Sequence, residues 1–312
     1  MPEKPASSDA ASQLSTIRDF LRWALSEFRA AKIVHGHGTT SATDEAAFLI
    51  LEALHLPVDD INPWLDARLL EAEKHKLATL IRTRIDTRMP AAYLVNRAYI
   101  HGIPFFVDER VIVPRSYIGE LMFSGIFGGD EAPLIEDVAN VTSVLDLCTG
   151  SGCLAIIAAG LFPDAEVDAA DLSGAALEVA RINVDEHDVA DRVNLLEGDL
   201  FEAVEGRTYD VIISNPPYVA GGEVQAFPPE YGHEPVMAHL GGEDGLDLVR
   251  RILAEAADHL NPGGGLLCEI GTGRERLVDD YPQLDFLWLD TEESEGEVFW
   301  ITREQLLEAE IS

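Results

Sequence analysis

The sequence predicts an α/β fold, a mostly parallel doubly wound sheet preceded by a small helical domain. Three observations carry that expectation. From Val141 onward strand-like and helix-like segments alternate, two glycines (Gly150 and Gly152) fall where the first strand would meet the next helix, and from Gln13 to Arg88 apolar residues instead recur at helical spacing.

The helical stretch opens with Ile17, Phe20, Leu21, Ala24, Leu25 and Phe28, three and four residues apart on one face. "SATDEAAFLILEALHL" begins on a Ser suited to an N-cap and stops at Pro57, and "DARLLEAEKHKLATLIRTRID" predicts a third helix. "HGH" at His35 to His37 has no further ligands at metal spacing and reads as loop. At Met89 the texture changes: "PAAYLVNRAYIHGIPFFVDERVIVPRS" is rich in β-branched and aromatic residues around a Gly-Ile-Pro turn and predicts a hairpin linking two domains. The expected boundaries are a disordered tail over 1–12, a helical domain over 13–88, the hairpin linker over 89–120 and the sheet domain over 121–312. Within the last, "SVLDLC", "EVDAADL", "VNLLEGDL", "YDVIIS" and "GGLLCEIG" are strands with helices between them. "FLWLD" and "VFWIT" lie too close together for a helix between them, which predicts an antiparallel edge.

Composition narrows the class. The chain has 312 residues, 47% hydrophobic and 25% charged, ordinary for a soluble globular protein of two domains. No apolar run approaches the roughly 20 residues that span a bilayer. The start lacks a signal-peptide core, and three cysteines (Cys148, Cys153, Cys268) without a C-x-x-C pair argue for reduced thiols and a cytoplasmic protein with no disulfide frame. The net charge of −34 disfavours a nucleic-acid partner, because phosphate binding needs concentrated Lys and Arg. Lysine occurs only at Lys4, Lys32, Lys74 and Lys76, so the acidity fits either a basic protein partner or a salt-adapted surface.

The chemistry concentrates on one sheet edge. Gly150 and Gly152 allow a tight turn and close approach of a ligand to a helix N-terminus. Asp146 in the first strand is poor for a pyrophosphate but suits a cationic ligand. Asp171 ends the second strand, where an acid of this fold grips ribose hydroxyls, and Asp199 in "EGDLF" ends the third. A nucleoside with a positive centre fits these groups. S-adenosylmethionine is one; NAD is the alternative, but "TGSGCLA" lacks the third glycine and Asp146 would face its phosphates.

After the fourth strand comes "NPPY", Asn215 to Tyr218. Two prolines cannot continue a central strand, so the chain forms a stiff corner whose carbonyls have no local donors. Such a corner suits a planar amide. The Asn215 side-chain oxygen and the Pro216 carbonyl would each accept one N–H, Pro217 would fix the bend, and Tyr218 would pack on the amide plane, orienting a weakly nucleophilic nitrogen without a strong base.

That motif and its strand resemble amino-methyltransferases acting on planar nitrogens, DNA-adenine and protein-glutamine enzymes among them. The stretch "RMPAAYLVNRAYIHGIPFFVDERVIVPRSYIGELM" is similar to the linker of the glutamine methyltransferases that modify release factors and ribosomal proteins. Release-factor enzymes carry Pro-Arg-Pro-Glu-Thr where this chain has Pro114-Arg115-Ser116-Tyr117-Ile118, a departure that matches the ribosomal branch. "LDLCTGSGCLAI", "NPPYV", "EYGHEP", "DGLDLVRRIL" and "VFWITREQL" extend the likeness over most of the chain.

The resemblance implies a class I Rossmann-like methyltransferase with a seven-stranded sheet, S-adenosylmethionine as cofactor and no metal. The implied activity is methylation of a glutamine side-chain amide in large-subunit ribosomal protein L three. The alternatives are a release-factor enzyme or a DNA-adenine enzyme, which would need a basic target-recognition region absent here. Cys148, Thr149, Gly150, Ser151 and Gly152 with Asp146, Asp171, Asp199, Leu200 and Asn215 would contact the cofactor; Leu200 stands where release-factor enzymes have a Trp near the adenine. Asn215, Pro216, Pro217 and Tyr218 would hold the glutamine. The helical domain would recognise the substrate protein, with Asp44, Glu45, Asp59, Asp60, Glu71 and Glu73 steering it.

Overall fold

The computed structural model describes residues 11–129, 133–224, 226–291 and 294–309. They form two compact units, one of Met1–Asp108 with Phe227–His233 and the other of Glu109–Ala226 with Glu234–Ser312. Most of the expected tail (1–10) lies outside the described residues, but Ala11 is buried in the helical unit's core, because its methyl joins the cluster around Ile17 and Phe20.

In the first unit α1 (Ile17–Ala31) starts at Thr16, whose hydroxyl accepts from Asp19 N while the Asp19 carboxylate accepts from Thr16 N. It buries Ile17, Phe20, Trp23, Ala24 and Phe28; Leu21 and Leu25 stay half-buried. Ser41 caps α2 (Ala42–Ala53), which ends before Pro57 because His55 turns to φ 57°. The third helix, α3 (Glu71–Thr87), carries Arg84, fully buried against Glu45. His35 donates through Nδ1 to the same Glu45 carboxylate (Oε2, 3.1 Å).

The expected hairpin is narrower than residues 89–120. Ala91–Val95 forms a helix, α4, because Pro90 pre-sets its start and the two alanines favour it. Only β1 (Ala98–Ile100) and β2 (Ile103–Phe105) pair, around His101 and Gly102 at φ 47° and 77°.

The second unit opens with α5 (Tyr117–Phe123). A seven-stranded sheet follows, with α6 (Cys153–Leu161) and α7 (Gly174–Glu186) between β3 (Ser143–Leu147), β4 (Glu166–Asp171) and β5 (Val193–Glu197). The chain then crosses back to β6 (Tyr209–Ser214), passes through α8 (Asp247–Ala256) to β7 (Leu260–Glu269), and closes with α9 (Arg274–Asp280), β8 (Leu287–Leu289), β9 (Val298–Thr302) and α10 (Arg303–Glu308). The order is β5-β4-β3-β6-β7-β9-β8, with β9 antiparallel to both neighbours and every other pair parallel. The antiparallel edge is present, and β9 enters between β7 and β8. Strand alternation sends Leu145, Leu147, Ile212 and Leu266 to one face, where they pack under α8–α10 with Val249, Ile252 and Leu306.

The strand order reverses between β4 and β6 on either side of β3, which opens a crevice at their carboxyl ends. No helix among the described residues is long and apolar enough to cross a membrane.

Candidate active site

The crevice is a cavity of about 420 Å³, a volume within the range of small-molecule sites. Cys148 and Gly150 reach its wall from the loop after β3, Asp171 from the tip of β4, Asp199 and Leu200 from beyond β5, and Asn215 and Pro217 from the corner after β6. Ile112, Leu172, Met237 and Leu240 supply apolar wall. Six segments well separated in sequence therefore meet at one edge.

The other expected site residues stand behind that wall. Asp146 is fully buried. Its Oδ2 accepts from Thr149 Oγ1 at 2.6 Å and from Ala155 N at 3.0 Å, so it caps α6 and holds the glycine loop from below. A strand-interior position pairs with the first turn of the following helix before it can reach a ligand, which is why this acid is absent from the cavity wall. Its Oδ1 has no partner among the described residues, and burial pushes its carboxyl up to about 7 from an ordinary 3.8. Thr149 and Ser151 are buried supports; Ser151 O accepts from Asn183 Nδ2 at 2.8 Å. Gly152, at φ 79°, packs so close to α7 that a Cβ would meet Ala180 Cβ at 3.1 Å.

Asp171 holds the loop from the cavity side. Its two oxygens accept from Gly150 N and Ser173 N, each at 2.8 Å, and burial raises its carboxyl above the usual range despite those bonds. Asp199 lies two residues past the end of β5, not in the strand, and its Oδ2 pairs with Arg251 Nη2 at 2.9 Å. Cys148 and Leu200, both at the cavity wall, adopt left-handed backbone, φ 61° and 50°, a conformation uncommon for non-glycine residues. Burial and then the Asp171 charge push the Cys148 thiol upward, so it is a neutral wall group, not a nucleophile.

At the corner, Asn215 is half-buried and its side chain makes no hydrogen bond with the described residues. The Pro216 carbonyl likewise receives no backbone donor among them. Pro216 itself is buried and, like Tyr218, does not line the cavity. The Tyr218 hydroxyl donates to Glu269 Oε1 at 3.0 Å.

Several supporting residues carry no recognisable motif. Backbone bonds from Val219 N to His239 O (2.8 Å) and from Gly241 N to Val219 O (2.9 Å) clamp the chain beyond the corner. Side chains at Gly241 or Gly245 would strike the Pro217 and Tyr218 backbone at 2.6 and 2.3 Å, so the "GGEDG" run is a packing requirement. Glu234, buried, accepts from Val113 N at 2.9 Å and from both Arg115 terminal nitrogens at 2.8 Å, and lies 3.0 Å from His239 Nε2. The glycine cluster was a visible signal; the lone buried acids gave none.

This sheet order, with an amide and paired proline corner facing a cavity beside a glycine loop, defines a Rossmann-like methyltransferase. Residues 132–227 match the family described as the methyltransferase small domain. A relative from Bradyrhizobium diazoefficiens described as a ribosomal protein uL3 glutamine methyltransferase is 55% identical over 295 residues, 94% of this chain and 92% of its own. Relatives of the same description from Neisseria meningitidis (52%, over 96% of this chain and 97% of theirs) and Bordetella pertussis (50%, over 94% and 97%) agree. The chain belongs to the ribosomal protein uL3 glutamine methyltransferase family.

Proposed function

We propose that this enzyme transfers a methyl group from S-adenosylmethionine to the side-chain amide nitrogen of a glutamine in ribosomal protein uL3. The observation that carries the reading is the free acceptor pair at the corner, the Asn215 amide oxygen and the Pro216 carbonyl, beside a cavity built for a nucleoside.

The cavity residues suit that cofactor. Nothing lies within 4 Å of where a Gly150 Cβ would stand, so a ligand can approach the loop backbone. Asp171 keeps lone pairs for ribose hydroxyls beyond its two backbone bonds, and Leu172 and Leu200 offer apolar surface for a base. When bound, S-adenosylmethionine supplies an electrophilic methyl on a cationic sulfur. The protein's part is placement. Asn215 and Pro216 each hold one N–H of the target amide, the prolines keep those acceptors from relaxing, and the apolar wall excludes water from the reacting nitrogen. Forming the N–C bond breaks the bond from the methyl to sulfur, which becomes a neutral thioether. The alkylated amide nitrogen is then strongly acidic and loses its proton to water as the product leaves, so no strong base is required. Asp146 acts at one remove, fixing the glycine loop through Thr149.

Mass spectrometry of uL3 from a strain lacking this gene tests the reading. Loss of one methyl from a glutamine-bearing peptide, restored by the cloned gene, is expected. An unchanged uL3 with an altered release factor would move the substrate to the other branch.

A further inference from the structure

We infer that Glu269 is a positioning residue for the reaction, locking the tyrosine end of the Asn215–Tyr218 corner, with Ser116 as its second anchor. The inference rests on the site reading above and names the group that holds its geometry.

The corner has few free torsions. Pro216 and Pro217 have fixed φ, so its shape is set by what holds its two ends. At the start, Ser214 pairs with Cys268 in β7, and its hydroxyl donates to Leu147 O at 3.1 Å. At the finish, Tyr218 donates to Glu269, the very next residue of β7. One strand therefore grips both ends through adjacent positions. On its other side the tyrosine ring lies against Gly271, at φ 55°, where a Cβ would come within 2.7 Å of the ring.

Glu269 is itself immobile. It is fully buried, and its Oε2 accepts from Ser116 Oγ at 2.7 Å and from Tyr117 N at 2.9 Å while Oε1 takes the tyrosine hydroxyl. All three are neutral donors, and among the described residues no salt bridge reaches this carboxylate. An enclosed carboxylate without a cation is a costly way to fill a core, and an apolar side chain would stabilise the fold more cheaply. Its use here is geometric: one acceptor group joins the segment before α5, the end of β7 and the catalytic corner. Loss of the acceptor frees Tyr218 to swing and lets the Pro216 carbonyl leave the line of the target N–H.

The test uses the full-length enzyme with Glu269→Gln, Tyr218→Phe, the double variant and Ser116→Ala. Glu269→Gln is expected to lower kcat on uL3 by about tenfold or more, leaving S-adenosylmethionine affinity by calorimetry within about threefold. The double variant should be no slower than the slower single, because both remove one link. Ser116→Ala should show a smaller loss of the same kind, and it stands in if Glu269→Gln does not fold. Losses that multiply in the double, or equal losses of affinity and turnover, would overturn the positioning role. A readout independent of substrate is the ¹³Cζ resonance of labelled Tyr218, which must shift in Glu269→Gln; an unmoved resonance also overturns it. Wild-type enzyme that leaves uL3 unmethylated while this resonance still shifts would sink the substrate reading alone.

Discussion

Glu230 accepts a hydrogen bond from Arg88 at 3.1 Å, 142 residues away in sequence, and a second from Val34 N at 3.1 Å. All three residues belong to the helical unit, because Phe227–His233 is part of it. Burial works against the Glu230 charge, yet the Val34 amide and then Arg88 hold its carboxyl below the ordinary range. The chain that leaves the proline corner thus passes through the helical unit before returning at Glu234. Deleting residues 1–88 would strip this segment of its partners, so the helical unit is better probed by substitution.

Arg84 is the first such probe. It is fully buried, its Nε donates to Glu45 Oε1 at 2.7 Å, and its other nitrogens donate to the Val34 and Arg88 carbonyls. Burial disfavours the Glu45 carboxylate, but the His35 and Arg84 bonds outweigh it and lower its pKa. Arg84→Ala strips a buried carboxylate of its guanidinium, leaving it only His35 and Thr39, and takes a donor from two carbonyls. It should destabilise the unit by about 3–5 kcal/mol in denaturant unfolding. A loss below about 1 kcal/mol would show that the pair is not what orders this core.

The sheet was readable because alternation of strands and helices is written in residue periodicity, and the glycine loop because tight turns restrict residue choice. Pairing partners were not, since β9 slides between β7 and β8 for reasons of three-dimensional packing. "AAYLV" ends in the apolar texture of a strand, and Pro90 with the two alanines tips it into a helix. At the site, Asp171 and Asn215 are at element tips, where a side chain reaches the cavity. Asp146 was assigned to a ligand it does not face because sequence shows a strand position without showing what lies above it. Glu269 and Glu234 look like any other acids in a chain with 56 of them.

Asn215→Ala isolates placement. The side chain has no hydrogen-bond partner to lose among the described residues, so the fold should be unaffected. Turnover on uL3 should fall by about two orders of magnitude or more, with S-adenosylmethionine affinity within about tenfold. Single-turnover rates paired with calorimetry measure the split, and equal losses in both would make Asn215 mainly a cofactor residue.

Buried acids make stability depend on pH. Asp146 is raised by burial from 3.8 to about 7 and Glu269 from 4.5 to about 7, so the folded state holds their protons more tightly than the unfolded chain does. Their contribution to stability is complete below about pH 4 and is lost as pH rises through about 7. Between pH 5 and 8 these two acids should therefore lower the melting temperature as pH rises. Asp146→Asn should flatten that slope, and an unchanged slope in the variant would show that Asp146 titrates elsewhere.

The last prediction concerns how the protein substrate is found. Of the acids expected to steer it, Glu45 is buried in its pair with Arg84 and is excluded. Glu73 is half-buried and accepts from Leu70 N at 2.7 Å at the start of α3, which leaves it little freedom to act on a partner. Asp44, Asp59, Asp60 and Glu71 are exposed. Asp44 is tied to the Ser41 cap and Glu71 to Lys74, and Asp60 accepts from Asn62 N and Nδ2 through Oδ1 alone, at 2.9 and 2.7 Å. Asp59 and Asp60 stand side by side in the loop after α2 with no cation paired to either among the described residues, so they are the sharper test. Surface charges of this kind act on encounter more than on the bound state. Asp59→Lys with Asp60→Lys should slow association with uL3 by about three- to tenfold at low salt, and the difference should fade as ionic strength shortens the screening length below about 10 Å. Dissociation rate and turnover at saturating uL3 should be unchanged. Stopped-flow association across a salt series reads all of this, and a variant that associates at the wild-type rate in low salt would remove these two acids from substrate recognition.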